Sequence, residues 1–320
     1  MKGAVPAASA AGPDQRRMVD LLRALAPREG YTLTALPDVR LLRSDRPLPR
    51  TPVLYDPGIV IVCQGRKRGF FMDRVYRYDA QHYLAVSVPV PFVMETDASP
   101  ARPLLAIYMH LDFRVAAELM VQIEHQGGAA SVAAPQSMMS SPMDPALQAS
   151  VLRLLEALCS PLDAVVLGPA LVREIYFRVL TGPQGQVMRA ALAMQGRFGS
   201  IGKALRRIHA EYTEPLSVAQ LAREADMSGP TFHSHFKAIT GLSPMRYVKS
   251  ARLHQARLLM VREGMTATAA SYAVGYESPS QFNREFKRLF ALPPREEARR
   301  LRDSFALPPP QPGAHYVSSH

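Results

Sequence analysis

The residues best suited to recognition chemistry come in two copies. Residues 228–244, SGPTFHSHFKAITGLSP, are echoed by residues 278–294, SPSQFNREFKRLFALPP. Ser228, Phe232, Phe236, Lys237, Leu242 and Pro244 return as Ser278, Phe282, Phe286, Lys287, Leu292 and Pro294, each 50 positions on. At about 100° per residue the paired phenylalanines share one helix face. The opposite face carries Pro230, Thr231, Ser234 and Lys237 in the first copy, and Ser280, Gln281, Arg284, Lys287 and Arg288 in the second, with His233 and Asn283 at the boundary. Hydroxyl, amide and guanidinium groups read base edges, and ammonium groups neutralise phosphates. A plain solvated face is the ordinary fate of such residues. A duplicated polar face behind a duplicated aromatic stripe points instead to helices built for a major groove.

The flanking residues supply the elements that must position these faces. Ser217 and Gln220 form a capping-box pattern that opens a short helix, SVAQLAREA, and Asp226-Met227-Ser228 makes a turn into the next helix. In the second copy a helix near 267–273 ends at Val274-Gly275-Tyr276, where Gly275 can take a positive φ. Ser278, Pro279 and Gln281 supply an N-cap, an N1 proline and a capping-box partner. Two helix-turn-helix units are expected, at 217–239 and 267–290. Ser243 and Pro244 open a connecting helix of about 20 residues, roughly 30 Å long, close to the roughly 34 Å between successive major-groove faces. Lys249, Arg252 and Arg257 on it are candidate phosphate contacts or solvated charges.

Together these residues resemble the AraC/XylS family of bacterial transcription regulators. The resemblance covers about 200–303, through IGKALRRIHAEYTEPLSVAQLA, TGLSPMRYVKSARLHQARLLM and AVGYESPSQFNREFKRLFALPP. It implies base-reading positions at Thr231, His233, Ser234, Ser280, Gln281, Asn283 and Arg284, with Lys237 and Lys287 beside them. It also implies double-stranded promoter DNA and RNA polymerase as partners, and activation as the usual output. Two departures stand out: Ala270-Ser271 where Ile-Ala is usual, and Ala291 where Gly is usual. The smaller Ala270 buries less surface, so looser packing of the second unit is expected.

Upstream, residues 31–112 break into short runs rich in Val, Ile, Tyr and Phe, separated by Pro, Gly and Asp, the pattern of a sandwich or barrel. LYDPGIVIVCQGRKRGFF, VYRYDAQHYLAVSVPVPF and SPARPLLAIYMHLD resemble the AraC-type regulator N-terminal domain, which implies a cupin-like β-barrel that senses a small molecule. Tyr55, Gln64, Tyr78, His82 and Tyr83 are the candidate ligand-binding residues, although about half the residues of any strand point outward. Arg66-Lys67-Arg68 is read as a solvated turn, with attraction of an anionic effector as the alternative. Cys63 is read as a buried small hydrophobe rather than a reactive thiol. A catalytic metal centre would need a cluster such as His-x-His with a carboxylate, and His82, His110 and Asp112 are the only nearby candidates. No metal, no cofactor and no catalytic residues are expected, and no enzymatic activity.

The fold expected is α+β in two domains: an N-terminal cupin-like β-barrel with flanking helices, and a C-terminal all-α domain with two helix-turn-helix motifs joined by a long helix. The boundaries are a disordered tail at 1–15, the barrel at 16–125, a linker with an apolar helical pair at 126–198, the DNA-binding domain at 199–305 and a second tail at 306–320. The helical pair, near 144–159 and 163–181, is compatible with a homodimer interface. Over the 320 residues Lys+Arg exceed Asp+Glu by 38 − 27 = 11. Residues 199–305 hold 17 basic and 10 acidic side chains, a net of +7, against +4 for residues 1–198. That concentration favours a polyanion partner. No apolar run reaches the roughly 18–20 residues of a membrane span, and with two cysteines and no secretory signal a cytoplasmic setting is expected. A cupin-type enzyme with accessory DNA binding, and an effector-independent architectural DNA binder, are the alternatives.

Overall fold

A computed structural model of the chain describes residues 12–126, 136–193 and 197–304. It opens with α1 (Pro13–Leu25). Nine strands follow: β1 (Gly30–Leu33), β2 (Val39–Ser44), β3 (Leu48–Tyr55), β4 (Gly58–Gln64), β5 (Arg66–Phe71), β6 (Arg74–Asp79), β7 (His82–Val86), β8 (Val90–Asp97) and β9 (Leu104–His110). Then come α2 (Phe113–His125), β10 (Met138–Pro142), α3 (Pro145–Ala157), α4 (Pro161–Val166), α5 (Gly168–Thr181) and α6 (Gly185–Ala193). The C-terminal part is helical throughout: α7 (Arg197–Ala210), α8 (Val218–Glu224), α9 (Gly229–Thr240), α10 (Pro244–Arg262), α11 (Ala267–Ala273), α12 (Pro279–Phe290) and α13 (Pro294–Ser304).

The strands form one curled antiparallel sheet in the order β1-β2-β9-β4-β7-β6-β5-β8-β3, with β10 also pairing β7. It is a half-barrel, since β1 and β3 end the order without pairing to each other. Alternation sorts its faces. Val60, Val62, Tyr55, Tyr78, Phe92, Met94 and Tyr108 point to the concave side. Ile59, Ile61, Cys63, Ile107 and Met109 point to the convex side, where α1, α3 and α5 cover them with Met18, Leu22, Leu154, Ile175 and Val179. β4 is apolar along nearly its whole length because both faces are covered.

The concave side is closed by the helical domain. Its apolar cluster runs without a break into Ile201, Leu205, Phe232, Phe236 and Tyr247 of α7, α9 and α10. Ser137 Oγ donates to the carbonyl of Ile239, and Gly241, the left-handed residue ending α9, lies against Phe71 and Met72. A Cβ at Gly241 would sit 3.1 Å from the Phe71 ring. α10 is buried along its inner length, at Tyr247, Ala251, Leu253, Ala256 and Leu258, because it serves as the spine for both halves of the domain. Among the described residues no helix is long and apolar enough to cross a membrane.

Several expectations change. The tail set at 1–15 overlaps α1, whose Pro13 takes a first-turn position and whose Gln15 is buried and donates to the Cys63 carbonyl. The region set aside as linker and helices contains β10, and the single helix expected at 163–181 is two, parted at Leu167–Gly168, where Pro169 sits in the first turn of α5. Arg66-Lys67-Arg68 is strand rather than turn: Arg66 and Arg68 are exposed while Lys67 points inward, its amine pushed down to about 7 by burial. The tail set at 306–320 lies outside the described residues.

Candidate nucleic-acid interface

Each helix-turn-helix unit is built from local signals. Ser217 and Gln220 complete the capping box of α8. Asp226 then turns the chain at φ 52°, and Ser228 caps α9 by accepting from the Thr231 amide while its hydroxyl donates to Thr231 Oγ1 at 2.8 Å. In the second unit Gly275 turns at φ 79°, where a Cβ would come within 2.3 Å of the Thr213 carbonyl oxygen, so only glycine fits. Ser278 caps α12 by accepting from the Gln281 amide.

The aromatic stripes anchor both helices. Phe232 and Phe236 are fully buried with ring centroids 5.3 Å apart. Phe282 and Phe286 are fully buried too, and Phe290 extends the stripe at 4.5 Å from Phe286. The opposite faces are open. Thr231, His233, Ser234 and Lys237 on α9, and Ser280, Gln281, Asn283, Arg284 and Lys287 on α12, are all exposed. Among the described residues Lys237, Arg246, Arg284, Lys287 and Arg288 take part in no ion pair, so their charge is available to an anionic partner.

The cations on α10 serve another purpose. Lys249 pairs with Glu285 at 2.7 Å. Arg252 donates to the carbonyls of Tyr212, Glu214 and Gly275, fastening the turns of both units. Arg257 is buried, paired to Glu297 at 3.3 Å and stacked over Phe290. Arg252 and Arg257 are therefore structural residues, not phosphate contacts. Glu285 was not singled out from the sequence, yet it organises the second unit. Lys249, Tyr276 and Gln281 all donate to its carboxylate. Burial works to raise Glu285, but these hydrogen bonds outweigh it and hold the carboxyl below its ordinary value. Through Gln281 the same carboxylate orients an exposed side chain of α12.

The candidate effector residues do not gather in one place. Tyr55 and Tyr78 share the concave interior, 3.4 Å apart at their hydroxyls, with Tyr108 at 3.0 Å from Tyr55. Burial raises all three phenols, so they remain neutral. Tyr83 lies on the convex face among the helices. Gln64 sits past a bulge in β4 and donates to the Pro103 carbonyl at 2.9 Å. His82 stands at the start of β7, 3.2 Å from Asp79. The cavity beside Tyr55 and Tyr108 measures only about 20 Å³, room for about one water. A cleft of about 600 Å³ lies elsewhere, between α2 and α7. None of the five candidates lines it. His110 approaches Asp56, and Asp112 caps α2, so neither joins His82. The Cys63 thiol is pushed up to about 12 by burial, which keeps it protonated.

Fold and site together define a two-domain DNA-binding regulator: a curled sheet seated on a tandem helix-turn-helix domain. Residues 35–187 match the family described as "AraC-type transcriptional regulator N-terminus", and residues 221–300 match "Helix-turn-helix domain". The chain belongs to the AraC-type transcriptional regulators. Over 88 residues it is 33% identical to the uncharacterized HTH-type transcriptional regulator YobQ of Bacillus subtilis (strain 168), a match taking in 28% of this chain and 36% of that one. Over 127 residues it is 28% identical to the HTH-type transcriptional activator RhaS of Salmonella schwarzengrund (strain CVM19633), covering 39% and 44%. The chain thus spans less than half the length of these curated relatives. Two structures of ToxT share the fold. One, from Vibrio cholerae O395 and bound to (E)-4-(8-methylnaphthalen-1-yl)but-3-enoic acid, has a TM-score of 0.57 at 11% identity, covering 82% of this chain and 99% of that one. The other, from strain SCE256 and bound to an unsaturated fatty acid, has 0.57 at 13%, covering 85% and 96%.

Proposed function

We propose that the chain is a sequence-specific DNA-binding transcriptional regulator that places α9 and α12 in successive major grooves and answers to a small molecule through its N-terminal domain. The observation that carries this is the pair of open, polar recognition faces on matched helices joined by one rigid spine. α10 is 19 residues long, about 28 Å at the usual helical rise, against a groove repeat of roughly 34 Å. Base reading falls to Thr231, His233 and Ser234 in the first groove and to Ser280, Gln281, Asn283 and Arg284 in the second. Lys237 and Lys287 face phosphates.

Activation through RNA polymerase is the proposed output, supported by the activator name of RhaS. A homodimer is proposed through α4 and the residue that caps it, where Leu162, Val165, Val166 and Leu167 are all more than half exposed. Effector control is supported by the ligands that ToxT carries in its solved structures.

The test is fluorescence anisotropy on promoter fragments. Binding is expected to weaken steeply with salt, because phosphate neutralisation releases counterions. Arg284→Ala is expected to cost about 1–3 kcal/mol and to relax preference at one base pair only. An unchanged sequence preference would remove Arg284 from the reading set.

A further inference from the structure

We infer that Glu285 is a positioning residue for base reading: it fixes the side-chain amide of Gln281 in the one orientation that matches the major-groove edge of adenine. The inference rests on the reading in which α12 enters a groove, and adds which base Gln281 selects there and why.

A glutamine amide is ambiguous by nature. Its carbonyl accepts, its NH2 group donates, and a half-turn of the last torsion exchanges the two. An unanchored glutamine offers either group to whichever base it meets. Gln281 is anchored. Its Nε2 donates to Glu285 Oε1 at 3.3 Å, one helical turn further on. An ionised carboxylate only accepts, so it must face the NH2 group and never the carbonyl. Burial works to raise Glu285, but the donors around it outweigh that effect, and it stays ionised at neutral pH.

The carboxylate is itself held from outside α12. Lys249 of α10 donates to Oε1 at 2.7 Å, and Tyr276, in the turn before α12, donates to Oε2 at 2.8 Å. Tyr276 is buried against the Phe282 ring, and the Glu285 side chain is only 12% exposed. Fastened to two other elements, Glu285 stays put and Gln281 follows it. The spacing from Ser278 suggested another use for this glutamine. Gln220 closes its capping box by accepting from the Ser217 amide at 2.8 Å, whereas Gln281 turns forward to Glu285 instead.

One N–H and the carbonyl Oε1 of Gln281 are then left side by side. Among the described residues no other hydrogen bond reaches that amide group. Gln281 is exposed in the first turn of α12, the end that meets base edges in such helices, on the same face as Arg284. An acceptor beside a donor complements adenine, whose N6 amino group donates and whose N7 accepts. Guanine offers two acceptors there, N7 and O6, so Oε1 would face another oxygen. Cytosine and thymine each satisfy only one of the two groups.

The experiment selects binding sites for the full-length chain from a random duplex pool, then measures anisotropy on the selected site and its single-base variants. One adenine should be preferred over guanine by about tenfold, at a position where Gln281→Ala abolishes the preference. Replacing that adenine by 7-deazaadenine or by N6-methyladenine removes one contact each. Either should cost wild type several-fold and cost Gln281→Ala nothing. Glu285→Gln puts in a group that both accepts and donates, so it no longer imposes a direction. It should cut the preference to about twofold at that position alone, and change nothing there in the Gln281→Ala background. Tyr276→Phe takes a different donor from the same carboxylate and should keep the adenine preference. A loss in Glu285→Gln spread evenly over all positions, or loss of the preference in Tyr276→Phe, would make Glu285 a packing residue and overturn the inference. So would wild-type binding indifferent to both analogues, a result that needs no variant to fold. A motif in which Gln281 selects another base would overturn the adenine assignment and leave the regulator reading standing. No selected motif at all would remove that reading, and the inference with it.

Discussion

The two helix-turn-helix units match each other on the face they present and differ in what stands behind them. α9 and α12 are both 12 residues long, both capped by serine, and both bury phenylalanine at the same two positions. Behind α9, however, the apolar cluster continues into the concave side of the sheet, through Tyr247, Phe71 and Phe92. Behind α12 the cluster is its own: Leu253, Met260, Val274, Phe282, Phe286 and Phe290. The polar faces diverge too. α12 offers Arg284, Lys287 and Arg288, while α9 offers one lysine among hydroxyls and a histidine. The repeat thus yields a strongly basic second unit with an apolar cluster of its own, and a first unit whose cluster is continuous with the sheet.

The sharpest way to break this picture is to unfold the second unit alone. Arg257 and Glu297 are 1% and 0% exposed, and the pair lies inside that unit's core. Removing one partner of a buried pair leaves a charge without compensation, at a cost of about 3–5 kcal/mol. Glu297→Ala should therefore produce two transitions in urea, an early one in helical signal and a later one in the tyrosines of the sheet. A single transition at a shifted midpoint would show that the second unit does not stand apart.

What was legible in the sequence follows the same division. The recognition helices declare themselves through local signals: serine caps, prolines in the first turn, and phenylalanines four apart. Features made by distant residues do not. β10 reads MMSSP, with no alternation and a closing proline, and becomes a strand only because β7 offers it a partner. Tyr83 and Tyr78 look alike as residues, and only the register of β6 and β7 sends one to the helices and the other to the interior. Arg252 and Arg257 look like surface cations until the carbonyls and the carboxylate that hold them, 23 to 40 positions away, are in place. The interdomain cleft joins residues from Ser87 to Arg206, and no window of sequence contains it.

The seam between sensor and first unit should respond to acid. His209 is buried in it, and burial pushes its imidazole down to about 3. Tyr247 Oη gives its proton to the Pro89 carbonyl, so the 2.8 Å contact with His209 Nε2 requires that nitrogen to carry a proton and donate. The folded ring stays neutral where the unfolded ring, near 6.5, becomes charged. Stability is then full above about pH 6.5 and falls by about 1.4 kcal/mol per pH unit between there and about 3. Burial pushes His254 well below its ordinary value, and His110 down to about 4, so they add to the slope. From pH 6.5 to 5, His209→Gln should recover about 2 kcal/mol of the loss, since its amide can still donate to Tyr247. An identical pH profile for the variant would place the titration elsewhere.

The smallest effect tests the comparison at a single backbone position. Both recognition helices end in a left-handed residue, Gly241 at φ 74° and Ala291 at φ 64°. Alanine pays about 1–2 kcal/mol in that conformation, and glycine returns roughly half of the relief through its freer unfolded chain. Ala291→Gly should therefore stabilise the second unit by up to about 1 kcal/mol, read as a later helical transition with the sheet transition unmoved. The reciprocal change is not its mirror image. Gly241→Ala brings the same backbone strain and also sets a Cβ 3.1 Å from the Phe71 ring, on the seam itself. It should weaken the sheet and the first unit together. If both substitutions moved only their own helix, the first unit would be as self-contained as the second, and the sensor would have no privileged hold on it.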